Sequence, residues 1–135
     1  MTPEATPLAE AMRGHQYLNL ETFRRSGVGV RTPAWFAEHQ GRLYVRTGGE
    51  SGKVKRIRNQ GRVRLAPSDA QGHPKGEWIE AQAQLASAEQ AELARRLFLK
   101  KYGLQYRGFE AMVKLRRGSW ATIRLESPSQ VGGGT

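Results

Sequence analysis

The sequence predicts a small antiparallel β-barrel carrying helices, a mainly β fold with α, and three observations carry that prediction. Runs of alternating polarity recur along the chain, as in Leu43-Val45-Thr47 against Tyr44-Arg46 and Ile79-Ala81-Ala83-Leu85 against Trp78-Glu80-Gln82-Gln84. Glycine and proline punctuate these runs at short intervals. Six such strands in 135 residues most economically close on themselves, which removes exposed edges.

Taken in order, residues 1–16 hold Pro3 and Pro7 and little apolar content, and read as a flexible N-terminal arm with a short helix from Leu8 to Arg13. Packing begins at Tyr17, Leu18 and Leu20. The following stretch gives three extended runs separated by Gly27, Pro33 and Gly41, with Gln40-Gly41 as a hairpin turn. Gly27 and Gly29, flanking Val28, suggest a bulge or the close approach of a flat object. Of the adjacent pair Trp35-Phe36, one side chain faces inward and the other outward, where a subunit contact would bury it.

After the strand at Leu43–Thr47, Gly48-Gly49 turns the chain and Ser51 caps a short helix. That helix turns Val54 and Ile57 inward and Lys53, Lys55, Arg56 and Arg58 outward. Val63 and Leu65 resume the strand period, and 77–85 is a further strand with small inward side chains. Ser87 and Gln90 form a capping box for a helix over 88–102, with Ala91, Ala94, Leu97 and Phe98 on its inner stripe. Gly103 breaks it, Leu104, Phe109, Met112, Val113 and Leu115 support a second helix, and Ala121, Ile123 and Leu125 end the barrel. The domain spans 17–126, and 127–135 reads as a disordered tail.

Composition narrows the chemistry. The net charge of +10 is clustered: eight basic residues against Glu50 between Arg42 and Arg64, and eight against Glu110 between Arg95 and Arg117. Such clustering favours an anionic partner. Absence of cysteine excludes disulfides, thiolate metal sites and cysteine nucleophiles. His15, His39 and His73 are scattered, so no metal site is predicted. The N-terminus has neither a basic start nor an apolar run, which makes the cytoplasm the default location and a membrane anchor unexpected.

The strongest local signal is an anion site. Ser51 and the amides of Gly52 and Lys53 stand at a helix N-terminus, Thr47 adds a hydroxyl, and Lys53 and Arg56 share a helical face. GGESGK lacks the spacing of a P-loop, and Val54 stands where that motif needs a hydroxyl. A solvated basic helix without a ligand is the plain alternative. A second alternative is a nucleic-acid-binding barrel in which Trp35, Phe36, Tyr44 and Trp78 stack bases, although aromatic and basic residues are not regularly interleaved.

The ordered series TFRRSG, TPAWF, LYVRT, SGKVKRIRN and VRLAP, continued through GHPKGEWIEAQAQL and KKYG, resembles the split-barrel flavin and deazaflavin oxidoreductases, relatives of pyridoxamine phosphate oxidase. Within them it is most similar to the short group that uses coenzyme F420, and the likeness covers residues 17–126. The resemblance implies an FMN-binding split-barrel fold and a homodimer with two cofactor sites at the subunit interface. It places Thr47, Ser51, Lys53 and Arg56 on the cofactor phosphate, and Thr32, Pro33, Ala34 and Trp35 along the ring system. Trp78 would approach from the opposite subunit. Arg46 and Gly52 complete the candidate cofactor-binding set, and no catalytic residue is singled out. Gln60-Gly61 stands where many relatives carry Asn-Pro, which changes the stiffness of the turn after the basic helix. The implied activity is hydride transfer between reduced deazaflavin and a planar conjugated substrate such as an enone, quinone or tetrapyrrole. Lys55 and Arg58 supply more positive charge than one terminal phosphate needs, which favours the longer anionic tail of F420 over FMN, the alternative cofactor.

Overall fold

The computed structural model describes residues 7–49, 51–116 and 118–128. In chain order the elements are α1 (Pro7–Met12), β1 (Tyr17–Phe23), β2 (Gly29–Trp35), β3 (Ala37–His39), β4 (Arg42–Gly48), α2 (Gly52–Asn59), β5 (Arg62–Ser68), β6 (Ile79–Leu85), α3 (Ala88–Tyr102), α4 (Leu104–Leu115) and β7 (Trp120–Glu126). The strands form one antiparallel sheet of order β2-β1-β5-β6-β7-β4-β3. It curls around a core of Leu18, Leu20, Leu43, Val45, Val63, Leu65, Ile123 and Leu125, each fully buried.

The sheet has seven strands, one more than the six expected. Pro33 does not separate two runs but lies within β2, opposite Asn19 of β1. An edge strand tolerates proline because one row of its backbone groups has no ladder to join, and β2 is an edge. The chain turns instead at Phe36, which drops into the core, and a three-residue β3 follows. Gln40 and Gly41 then adopt φ of 53° and 81°, the left-handed pair of a type I′ hairpin, and bring His39 opposite Arg42. Gly27 belongs to the β1–β2 turn, where its amide donates to Arg24 O at 2.8 Å, and makes no bulge.

The arm expected over 1–16 also needs correction. Residues 1–6 lie outside the described residues, but α1 is part of the core: Leu8, Ala9 and Met12 fall on one helical face and are buried against it. They plug the end of the barrel where β1 begins, and Ile57 of α2 joins the same core from the other end. Most of the tail, 129–135, lies outside the described residues, while Ser127 is buried.

Ser51 caps α2, accepting from Val54 N at 3.4 Å. Ser87 and Gln90 form the reciprocal capping box of α3. Helix α3 packs Ala94, Phe98 and Tyr102 on the outer face of the β3–β4 side of the sheet, forming a second apolar cluster with Ala37 and Tyr106. Gly103, at φ 60° and ψ −127°, joins α3 to α4 in a conformation that side chains rarely enter. Helix α4 forms as expected, yet its apolar residues are not core: Leu104 and Leu115 are 83% and 84% exposed, and Tyr106 is its buried anchor.

Candidate functional site: a slit in the barrel

The sheet does not close. Strand β3 covers only Arg42–Tyr44 of β4, so the second half of β4 has an open backbone edge. Strand β2, the opposite edge of the sheet, comes against β4 across this gap. A cleft of about 450 Å³ occupies the slit, a volume typical of small-molecule sites. One wall is Pro33, Ala34 and Trp35 of β2; the other is Arg46, Thr47 and Gly48 of β4 with Lys53 from the first turn of α2. Phe98, Tyr106, Phe109 and Val113 of α3 and α4 cover it, with Trp120 of β7.

The apolar part is a set of rings held by one another. Trp35 stacks on Tyr102 with centroids 4.6 Å apart and planes 10° from parallel, and meets Phe109 at 5.9 Å. Trp120 lies 5.7 Å from Phe109 and 6.1 Å from Tyr106. Tyr102 is fixed in turn: its hydroxyl accepts from Phe36 N at 3.1 Å and lies 2.7 Å from the carbonyls of Gln16 and Phe36. Flat, apolar walls of this kind suit a planar conjugated ligand.

A polar network backs the rings. The Arg46 guanidinium sits 4.9 Å from the Trp120 centroid and donates to the Tyr106 hydroxyl, and Tyr106 donates to Glu110 Oε2 at 3.0 Å. Glu110 also accepts two bonds from Arg95, at 2.9 and 3.2 Å. Burial pushes the Glu110 carboxyl up, but the bonds from Arg95 and Tyr106 and the charges of Arg95 and Arg46 outweigh it and hold the carboxyl below its ordinary range. Burial drives the Tyr106 phenol up to about 12, against the pull of Arg46, so it keeps its proton. Only 9% of the Arg46 side chain is exposed, and its Nε has no hydrogen-bond partner among the described residues. An unsatisfied buried donor is costly.

Lys53 supplies the other positive charge. Burial, and then the like charge of Arg56, lowers its pKa below the ordinary lysine value. It has no salt-bridge partner among the described residues. Arg56 follows a different course from the shared-phosphate expectation. Its Nε donates to Thr22 Oγ1 at 2.6 Å, and it lines a separate shallow cleft with Phe23, Arg24, Arg25, Lys55 and Asn59. Its guanidinium nonetheless curls back over the start of α2, so close to Gly52 that a Cβ there would meet Nη1 at 2.7 Å.

Of the expected set, Pro33, Ala34, Trp35, Arg46, Thr47 and Lys53 line the cleft, and Ser51 and Gly52 flank it at the start of α2. Thr32 pairs with Leu20 one residue before the lining segment. Trp78 is elsewhere: Arg31 and Arg64 lie 4.4 and 5.4 Å from its ring centroid, beside Glu21, which both arginines bind. It does not line the cleft of its own chain. Sequence reasoning missed Tyr17, Phe98, Tyr106, Phe109 and Trp120. The spacing Tyr102, Tyr106, Phe109, Val113 was a visible signal, an aromatic stripe of helical period across the break at Gly103.

No protein-family model matches the chain, and no curated protein matches its sequence. Solved structures do match in three dimensions. HutZ, the heme storage protein of Vibrio cholerae, aligns over 92% of this chain and 89% of its own with a TM-score of 0.68 and 14% identity. An F420-H2 dependent reductase, FDR-A, aligns over 82% and 94% with a TM-score of 0.62 and 13% identity. A candidate pyridoxamine 5'-phosphate oxidase from Listeria innocua aligns over 87% and 88% with a TM-score of 0.56 and 16% identity. The chain is a split barrel. In this split barrel the slit between β2 and β4 is a property of the fold, whereas the rings and charges lining it belong to this sequence.

Proposed function

We propose that this split barrel is an oxidoreductase that holds a flavin-type coenzyme in the slit, and that the coenzyme is the deazaflavin F420. The observation that carries the reading is the cleft itself, with flat aromatic walls, Lys53 and Thr47 beside the start of α2, and Arg46 against Trp120. A tricyclic ring with an anionic tail suits such a mixture of flat apolar walls and cations. Two similar folds belong to an F420-H2 dependent reductase and a candidate pyridoxamine 5'-phosphate oxidase, which supports coenzyme redox chemistry in such a slit. Exposed Lys55 and Arg58 on α2 favour a tail longer and more anionic than that of FMN.

A bound deazaflavin supplies hydride exchange at its ring carbon with a planar conjugated substrate. The residues of the chain do the rest. Lys53 and the free amides at the start of α2 bind the phosphate, with the Thr47 hydroxyl beside them. Pro33, Ala34 and Trp35 set the plane of the ring, and Phe109, Val113 and Trp120 exclude water over it. Tyr106 holds its proton at the cleft wall, bound between Arg46 and Glu110. The reading includes a homodimer in which Trp78, turned away from its own cleft, completes the partner's. Sedimentation of a dimer, weakened by Trp78→Asp, is the expected result.

Parallel titrations with F420, FMN and single-stranded DNA test the cofactor. F420 should bind tightest, and Lys53→Ala should weaken it about 10- to 100-fold, the worth of one charge-assisted contact. Arg56→Ala should do less, because that guanidinium is engaged by Thr22. Unchanged affinity in Lys53→Ala, or DNA binding that survives saturation with F420, would defeat the assignment.

A further inference from the structure

We infer that α4, beside the cleft, is a docking surface for an anionic lipid membrane. Leu104 and Leu115 open and close the helix at 83% and 84% exposure, about 16 Å apart along its axis. At 100° per residue they fall on one face with Gly108 and Ala111, both exposed and too small to interrupt it. Met112, 47% exposed, widens this face, and Phe109, 45% exposed, carries it around the helix to the cleft that Phe109 and Val113 line. The apolar arc runs from open solvent toward the site, interrupted in its first turn by exposed Gln105.

Charge selects the occupant. Exposed Arg107 and Lys114 flank the arc on one side, Arg116 follows its end, and exposed Lys100 lies near the end of α3. The one acid of α4, Glu110, is turned inward and held by Arg95 and Tyr106. A second copy of the chain packing antiparallel on this face across a two-fold axis would set these cations against themselves. A bilayer with anionic headgroups takes both parts at once, acyl chains receiving the leucines and phosphates the cations.

Lipid docking stands apart from the coenzyme reading: vesicle binding and F420 affinity are separate measurements, and either fails without the other. The test is flotation of the whole chain with phosphatidylglycerol and with phosphatidylcholine vesicles. Wild type should float with the first and not the second. Leu104→Glu/Leu115→Glu, at positions too exposed to unfold the chain, should lose flotation about tenfold or more while keeping its melting temperature and oligomeric state. Arg107→Glu/Lys114→Glu should lose it as well. The inference is overturned if wild type does not float, if the leucine variant floats like wild type, which marks plain electrostatic adsorption, or if that variant dissociates an oligomer, which gives the face to a second copy.

Discussion

In the coenzyme reading Lys53 binds the anionic tail, and its environment makes a pH prediction. Its pKa is lowered, first by burial and then by Arg56, so its ammonium discharges at a lower pH than the ordinary lysine value of about 10.5. An anion bound beside it favours the charged form. Affinity for an anionic coenzyme should therefore be flat near neutrality and fall as pH rises through the lowered pKa, earlier than an unperturbed lysine would allow. Lys53→Arg, which does not titrate in this range, should keep binding and remove the fall. A Kd–pH profile showing the same fall in both proteins would place the titrating group elsewhere. Lys53 and Thr47 were legible in the sequence because they flank a short glycine turn and a cap, all within a few residues. The position of Arg56 was only half legible. The spacing of three put it on the face of Lys53, but Thr22, distant in sequence, set its rotamer. Tyr106 and Trp120 were not legible as site residues at all, since only the folding of α4 over β4 and β7 brings them to Arg46.

At the scale of elements, periodicity found the helices and most strands, and failed where burial comes from a remote partner. Helix α1 is the clearest case. Six residues with one turn of apolar spacing cannot hold a helix alone, and composition around them suggests a loose arm. The barrel end supplies the missing partner, and Leu8 is fully buried among core residues. Leu8→Ala should then cost about 2–5 kcal/mol, as a large-to-small change in a packed core does. Urea denaturation would show it as a lower midpoint at unchanged slope; a midpoint equal to wild type would return α1 to the status of an arm. Helix α4 forms where its apolar residues support it, and the fold buries Tyr106 while leaving the leucines outside, a choice that only packing against α3 and the sheet decides.

For the molecule as a whole, the same packing that shapes the slit sets how stability responds to alkali, through groups whose pKa values move in opposite directions. Burial lowers Lys101 to about 8 and lowers Lys53 as well. Between those folded values and the unfolded value of about 10.5, the unfolded chain binds more protons, so stability rises with pH. Tyr44, Tyr102 and Tyr106 are all raised, each first by burial. Their contribution is complete below the unfolded value of about 10 and is lost as pH climbs through the folded values, because only the unfolded chain readily gives up those protons. Thermal melting followed by circular dichroism should show a shallow rise from about pH 8, a maximum near pH 10 and a steep fall beyond it. Two variants separate the arms. Lys101→Met, which removes the ammonium held by Phe36 O at 2.9 Å, should flatten the rise. Tyr102→Phe should cost about 1–3 kcal/mol at neutral pH, since the Phe36 amide loses its acceptor, and should make the fall above pH 10 less steep. A melting temperature declining steadily from pH 8 in wild type would show that these side chains are hydrated in solution, and that α3 does not seal the rings behind Trp35 as tightly as the packing of Tyr102 requires.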